Sequence, residues 1–200
     1  MKKLFNFSVF IGGLVLLLIA PVRVFAEVYA IDAPHSTIGF AVKHLVVSTT
    51  KGDFTDYAGS IEFDSGNLES FRAQMIIQAK SIDTNNQKRD AHLRKAEFLD
   101  VEQYPTIQFE SSSLVKSDSG FQLRGNFTIR GVTKKVSIPV EIAGPVKSPL
   151  DGSKVIGLSG EFIINRQDYG VDWSKQMDKG GLVVADNVRI IIELEAHAAQ

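Results

Sequence analysis

Apolar and polar side chains alternate along most of this chain. From Phe71 to Lys80, Phe71, Ala73, Met75, Ile77 and Ala79 share one parity, while Arg72, Gln74, Gln78 and Lys80 share the other; Ile76 alone breaks the pattern. Successive side chains of a strand point to opposite faces, so this segment predicts a strand with one buried and one wet surface. Phe121, Leu123, Gly125, Phe127 and Ile129 repeat the arrangement. It recurs in Ile38, Phe40 and Val42; in Ile61 and Phe63; in Ile107 and Phe109; in Val136, Ile138, Val140 and Ile142; in Ile156, Leu158, Phe162 and Ile164; and in Val188, Ile190, Ile192 and Leu194. Eight strands of one design are predicted.

Turn-forming residues separate them: Asp64-Ser65-Gly66-Asn67, Ser117-Asp118-Ser119-Gly120, Arg130-Gly131, Asp151-Gly152-Ser153 and Asp186-Asn187. One-sided strands joined by short turns belong to an antiparallel sheet, not to a doubly wound parallel one. One short helix is predicted over Asn86 to Lys95, which lacks Gly, Pro and β-branched residues and follows the capping residues Asp83-Thr84-Asn85. The Gly157-Leu158-Ser159-Gly160 run sits inside a strand pattern and predicts a bend or bulge. Eight such strands either close into a barrel or split into a two-sheet sandwich. An eight-stranded barrel is filled by its own side chains or holds one ligand.

Residues 1–26 carry a different signature. Lys2 and Lys3 precede an uncharged apolar stretch from Leu4 to Val22, followed by Val24-Phe25-Ala26 with a small residue at the expected cut. This is the layout of an export signal, and the remaining 174 residues, 27–200, carry a net charge of −4. An uncleaved membrane anchor is the competing reading, although Gly12-Gly13 and Pro21 weaken a continuous spanning helix. Over the whole chain, 22 basic residues balance 23 acidic ones, which leaves no field able to hold a nucleic acid backbone. With no cysteine, thiol nucleophiles, disulfides, iron–sulfur clusters and Cys-ligated zinc are excluded. Thirteen Phe against one Trp and four Tyr make the inward face unusually poor in polar handles.

Candidate chemistry is sparse. The four histidines, His35, His44, His92 and His197, show no metal-ligand spacing, and His197 falls in a tail expected to fray. No metal site is expected. Neither a GxSxG elbow nor a GxxxxGK[ST] loop is present. The densest polar group is Lys88, Arg89, Asp90, His92, Arg94, Lys95 and Glu97, on and after the predicted helix. It reads either as a head-group site at a barrel mouth or as a solvated helix face with an Asp90–Arg94 pair.

The strings Asp32 to Leu45 (DAPHSTIGFAVKHL), Gly52-Asp53-Phe54, Ser81 to Pro105 (SIDTNNQKRDAHLRKAEFLDVEQYP), Gly125 to Val132 (GNFTIRGV) and Ile164 to Gly170 (INRQDYG) resemble, in order, the motifs of the YceI-like family of bacterial exported proteins. The resemblance implies an all-β fold: an extended, eight-stranded antiparallel, lipocalin-like β-barrel with one short helix. It implies that the barrel holds a polyisoprenoid chain, such as an isoprenoid quinone tail, in an internal pore. It also implies a periplasmic location and no established catalytic activity.

The leading expectation is therefore a carrier of polyisoprenoid lipid in transient contact with membranes, with no cofactor beyond the bound lipid. The expected pore lining is Phe40, Val42, Ile61, Phe63, Phe71, Met75, Ile77, Phe109, Leu123, Phe127, Ile138, Val140, Leu158, Phe162, Ile190 and Ile192. Arg89, Asp90 and His92 are the candidate mouth residues, and under the alternative of an enzyme acting on an isoprenoid or quinone head group they are its acid–base set. A third reading is a side-chain-filled scaffold acting through its surface. If residues 1–26 are an export signal, the mature protein begins at Glu27. Intact mass of the periplasmic fraction reads this directly, and a full-length mass in the membrane fraction would overturn it.

Overall fold

The computed structural model describes residues 26–118, 120–176 and 182–199. The predicted leader thus lies outside the described residues except for Ala26. Eleven strand segments follow in chain order: β1 (Glu27–Ile31), β2 (Thr37–His44), β3 (Ser48–Phe54), β4 (Tyr57–Phe63), β5 (Arg72–Gln78), β6 (Ile82–Asp83), β7 (Thr106–Ser117), β8 (Gly120–Ile129), β9 (Val132–Lys147), β10 (Lys154–Asn165) and β11 (Val184–Ala198). The helix α1 (Gln87–Leu93) lies between β6 and β7.

All pairings are antiparallel, and the register reduces eleven segments to eight barrel strands. Ala196 to Ala198 of β11 pair with Ile31 to Tyr29 of β1, while Val184 to Glu193 pair with β2. Thus β1 and β2 are two halves of one strand lying along β11. Likewise β3 and β4 lie end to end against β2 and β1, and β6 and β5 against β3 and β4. With β7, β8, β9, β10 and β11 the ring closes, β1 on β11. The architecture is a closed eight-stranded antiparallel β-barrel and not a two-sheet sandwich.

The break between β1 and β2 follows from Pro34, which has no N–H to give the ladder. Ser36 mends it: its Oγ donates to Glu195 O (3.3 Å) and accepts from Glu195 N–H (2.9 Å). Arg130-Gly131 forms the predicted tight turn between β8 and β9, with φ of 51° and 71°. The predicted Asp186-Asn187 turn is instead inside β11, where the β11–β2 register shifts between Val184 and Val188. His197, expected to fray, pairs with Ala30 in the closing seam. The β9–β10 register slips between Val155 and Gly157, so the predicted irregularity is a bulge at the start of the glycine run. The helix starts one residue later than predicted because Asn86 caps it, its side chain accepting from Arg89 N–H at 3.0 Å, and it ends at Leu93 with Arg94 as its C-cap.

The apolar face divides into two clusters. One surrounds Phe71, Tyr29, Ile138 and Ile156, all with 1% exposure or less, and includes Phe63 edge-to-face on Phe71 at 6.3 Å. It plugs the end of the barrel that holds the β1–β11 seam. The other surrounds Ile38, Met75, Ile77, Ile107, Phe127, Ile129, Ile164 and Tyr169 toward the helix end. A Cβ at Gly125 would sit 2.6 Å from the Phe109 ring, so glycine there makes room for an inward aromatic.

Tyr29 in the plug donates its hydroxyl to Glu27 Oε2 (2.8 Å). Burial, reinforced by that hydrogen bond, pushes the phenol up to about 12 from 10.0. A raised value favours the neutral phenol in the fold. Its contribution is therefore complete below pH 10 and lost as pH rises from 10 to about 12. Thermal melts across that window should show a decline on the order of 2 kcal/mol that Tyr29→Phe flattens, at some cost in stability at neutral pH. An unchanged slope in Tyr29→Phe would show that the plug does not govern the alkaline limit.

Candidate functional site: an apolar cavity and its mouth

A cavity of about 190 Å³ occupies the barrel between the plug and the helix end. It is narrow for its length. Its wall along β11 runs from Val184 to Leu194, on the order of 30 Å of strand, or roughly 25 Å along the axis once strand tilt is allowed for. Of the residues expected to line it, Phe40, Val42, Ile61, Met75, Ile77, Phe109, Leu123, Phe127, Ile138, Leu158, Phe162, Ile190 and Ile192 do so. Phe63, Phe71 and Val140 do not: they have the inward parity but lie in the packed plug beyond the cavity floor.

The helix end narrows into a mouth. Leu93, Phe98 and Leu99 come to it from the segment between β6 and β7, and Arg166, Tyr169, Val171 and Val184 from the opposite side. The first segment is folded back by a buried knot. Asp90 Oδ1 accepts from Thr84 N–H (2.9 Å) and from its hydroxyl, while Arg89 gives Nε to Thr84 Oγ1 (2.7 Å) and Nη2 to Thr84 O (2.8 Å). The chain passes so near β3 that a Cβ on Gly52 would lie 2.7 Å from Thr84 Cγ2. Arg89 Nε and Nη2 and Asp90 Oδ1 thus serve the fold of the loop, and the rest of the Arg89 head is exposed. His92 points elsewhere, paired with Glu97 and set edge-on against Phe98 (4.9 Å) and Trp173 (5.6 Å). The three mouth candidates lie on one helix without converging on the cavity.

Arg166, which parity alone does not single out, controls the other side. It is 5% exposed and engages all five of its N–H donors: Nε to Ala185 O, Nη1 to Val171 O and Trp173 O, Nη2 to Val184 O and Asp186 Oδ1. It is a clamp that joins 171–173 to 184–186 and has no donor left for a ligand. Arg130 ties the two sides of the mouth together, donating to Phe98 O (3.2 Å) and to Gly170 O. Phe98 stacks on Trp173 across the same seam, centroids 5.2 Å apart. Burial, then the nearby Asp168 charge, raises the Tyr169 phenol.

Away from the cavity, the β1–β11 seam gathers Asp32, Glu195 and His197, which among the described residues form a group with metal-capable atoms close together. Spacing in sequence did not reveal it because the strands meet only in the closed barrel. His197 Nε2 lies 2.9 Å from Glu195 Oε1 and 3.6 Å from Asp32 Oδ2, and His35 Nδ1 lies 2.7 Å from Asp32 Oδ2. The hydrogen bond and charge of Asp32 raise the pKa of exposed His35.

Fold and site define a closed β-barrel around a narrow apolar cavity with a hydrogen-bonded mouth. The sequence description of the YceI-like domain matches residues 29–196, and the chain belongs to that family. A UPF0312 protein of Staphylococcus aureus strain N315 is 32% identical over 161 residues, covering 80% of this chain and 92% of the relative. The crystal structure of the Campylobacter jejuni YCEI protein is similar at 32% identity and a TM-score of 0.68, over 79% of this chain and 90% of that one. BcnA of Burkholderia cenocepacia shares the fold at 23% identity and a TM-score of 0.73, over 82% and 98%. A polyisoprenoid binding domain from Saccharophagus degradans shares it at 16% identity and a TM-score of 0.63, over 86% and 98%.

Replacing Arg166 by Met should remove a donor from four carbonyls and from the half-buried Asp186 carboxylate, which keeps its bond from Gln167 Nε2, at a cost on the order of 3 kcal/mol. Hydrogen exchange should then accelerate at 171–173 and 183–186 before it changes in the plug. Uniform acceleration throughout the barrel would show that Arg166 supports the whole fold and not the mouth.

Proposed function

We propose that the protein is a periplasmic carrier of polyisoprenoid lipids, exported by its N-terminal signal, and not an enzyme. The observation that carries this reading is the cavity: long, narrow, closed at one end by the Phe63–Phe71 plug and open at a mouth. A branched hydrocarbon chain matches that shape, and a compact polar molecule does not. The lining offers almost no polar side chain, and the one buried guanidinium at the mouth is fully engaged. Arg89 and Asp90 are bound into the loop and His92 faces an aromatic pair, so the acid–base candidates point apart. The fold-sharing domain from Saccharophagus degradans, described as polyisoprenoid-binding, agrees with this reading.

Burying apolar surface recovers roughly 25 cal/mol per Å², so affinity for a long chain is not the difficulty. Selectivity is, because an apolar tube discriminates weakly between chains differing by a few carbons. The plug sets the depth, and the segment carrying Leu93, Phe98 and Leu99 acts as the gate through which the chain passes.

Organic extraction of the purified mature protein followed by mass spectrometry should yield one prenyl lipid per chain. Recovery of no lipid, or of fatty acids alone, would sink the proposal. Phe127 lines the cavity edge-on to Phe162 (5.6 Å) and Tyr169 (6.0 Å). Phe127→Ala should cost about 3 to 5 kcal/mol in delipidated protein and clearly less in loaded protein, where the chain shifts to refill the space.

A further inference from the structure

The turn joining β2 to β3 runs against ordinary turn chemistry. Leu45, Val46 and Val47 occupy it, 40%, 67% and 84% exposed. Leu45 and Val46 adopt left-handed backbone, φ of 51° and 66°, a region that large and β-branched residues avoid. Asn-Gly would make such a turn without strain. Neither folding nor solubility accounts for three adjacent apolar residues at an exposed tip.

Its position suggests what does. Val42, just below the tip, lines the cavity, and His44 pairs with Val184, which lines it too. Leu45 N–H donates to Val183 O at 2.9 Å, fixing the tip against the rim of the mouth. The hairpin is also basic. Lys43 and Lys51 are exposed on its outer face, His44 adjoins the tip, and the single acidic residue between Thr37 and Phe54 is Asp53, at the far end beside Gly39. An apolar point flanked by cations is complementary to an anionic bilayer, whose head groups attract lysines and whose acyl region accepts Leu and Val.

We propose that the Leu45–Val47 tip is a membrane-docking element that inserts into anionic bilayers and seats the mouth on them. A prenyl chain then passes between bilayer and barrel without crossing water. This deepens the carrier reading and rests on it for its purpose, though the docking itself can be tested alone.

The test is flotation of the mature protein with vesicles of equal parts phosphatidylglycerol and phosphatidylcholine, and with vesicles of phosphatidylcholine alone. Binding is expected to favour the anionic vesicles and to weaken with salt. The double variant Leu45→Asn, Val46→Gly should lose at least about tenfold in vesicle affinity, while its melting temperature rises because the turn strain is relieved. A misfolded variant cannot give that pair of results. Lys43→Glu should remove roughly fivefold and reduce the salt dependence. Wild-type protein that fails to float, or a double variant that floats as well as wild type, overturns the proposal. So does a concentration-dependent dimer in sedimentation that the double variant abolishes without any change in flotation, because the tip would then contact a second copy of the chain. Lipid extracted from the same preparations separates the two ideas: flotation by a protein that carries no prenyl lipid retains the docking and rejects the carrier.

Discussion

The structure depends on a backbone ladder that closes on itself around space its own side chains do not fill. Atoms lining a cavity lack partners on one side and forfeit dispersion energy. A sheet with a free edge would collapse to recover those contacts. Closure prevents it, since each strand of the ring β1–β4–β5–β7–β8–β9–β10–β11 is paired on both sides and tilted to one circumference, while among the described residues β6 pairs with β3 alone. The seam is short, however, with β1 meeting β11 through only three residue pairs. Side chains extend it: Ser36 exchanges two hydrogen bonds with Glu195, and Glu195, His197, Asp32 and His35 form a chain of close polar contacts across the outside. The hydrophobic plug lies directly beneath, so the end most in need of support is also the most densely packed.

The opposite end obeys a different requirement. A mouth must be open enough to admit a chain, which rules out filling it with apolar side chains as the plug is filled. It is held by backbone carbonyls drawn to two arginines. Arg166 gathers 171–173 and 184–186, and Arg130 joins Gly170 to Phe98 on the facing segment. Guanidinium suits this work because its donors are fixed in one plane and remain charged at any physiological pH. The arginines shape the rim, while the surface presented to the cavity stays apolar through Leu93, Phe98, Leu99 and Val171.

Most of the barrel was legible in the sequence because a period of two has a single structural meaning when it recurs over eight segments. Parity, though, reports which face a residue takes and not how far along the axis it sits. Phe63, Phe71 and Val140 therefore looked like lining and are plug. The strand β3 (STTKGDF) escaped because its exposed polar residues outnumber its inward ones, and it is a strand through pairing with β2. Arg166 escaped for another reason. Its partners are mostly main-chain carbonyls of distant segments, which no side-chain pattern can reveal. Asp90 looked like a solvated helix charge until Thr84 was seen to fold over it.

These placements separate two properties that a lipid carrier must set independently. On the proposed carrier reading, chain length is measured at the cavity floor, where Ile61, Leu123, Ile138 and Leu158 meet the plug packed behind them. Changes in plug volume alter depth without touching the mouth. On the same reading Arg166, being saturated, cannot recognise a head group, and that task falls to the Tyr169 phenol at the mouth and to exposed groups around the rim. A barrel so divided can change either property alone, and a common fold can then serve different ligands without rebuilding the ladder that keeps it open.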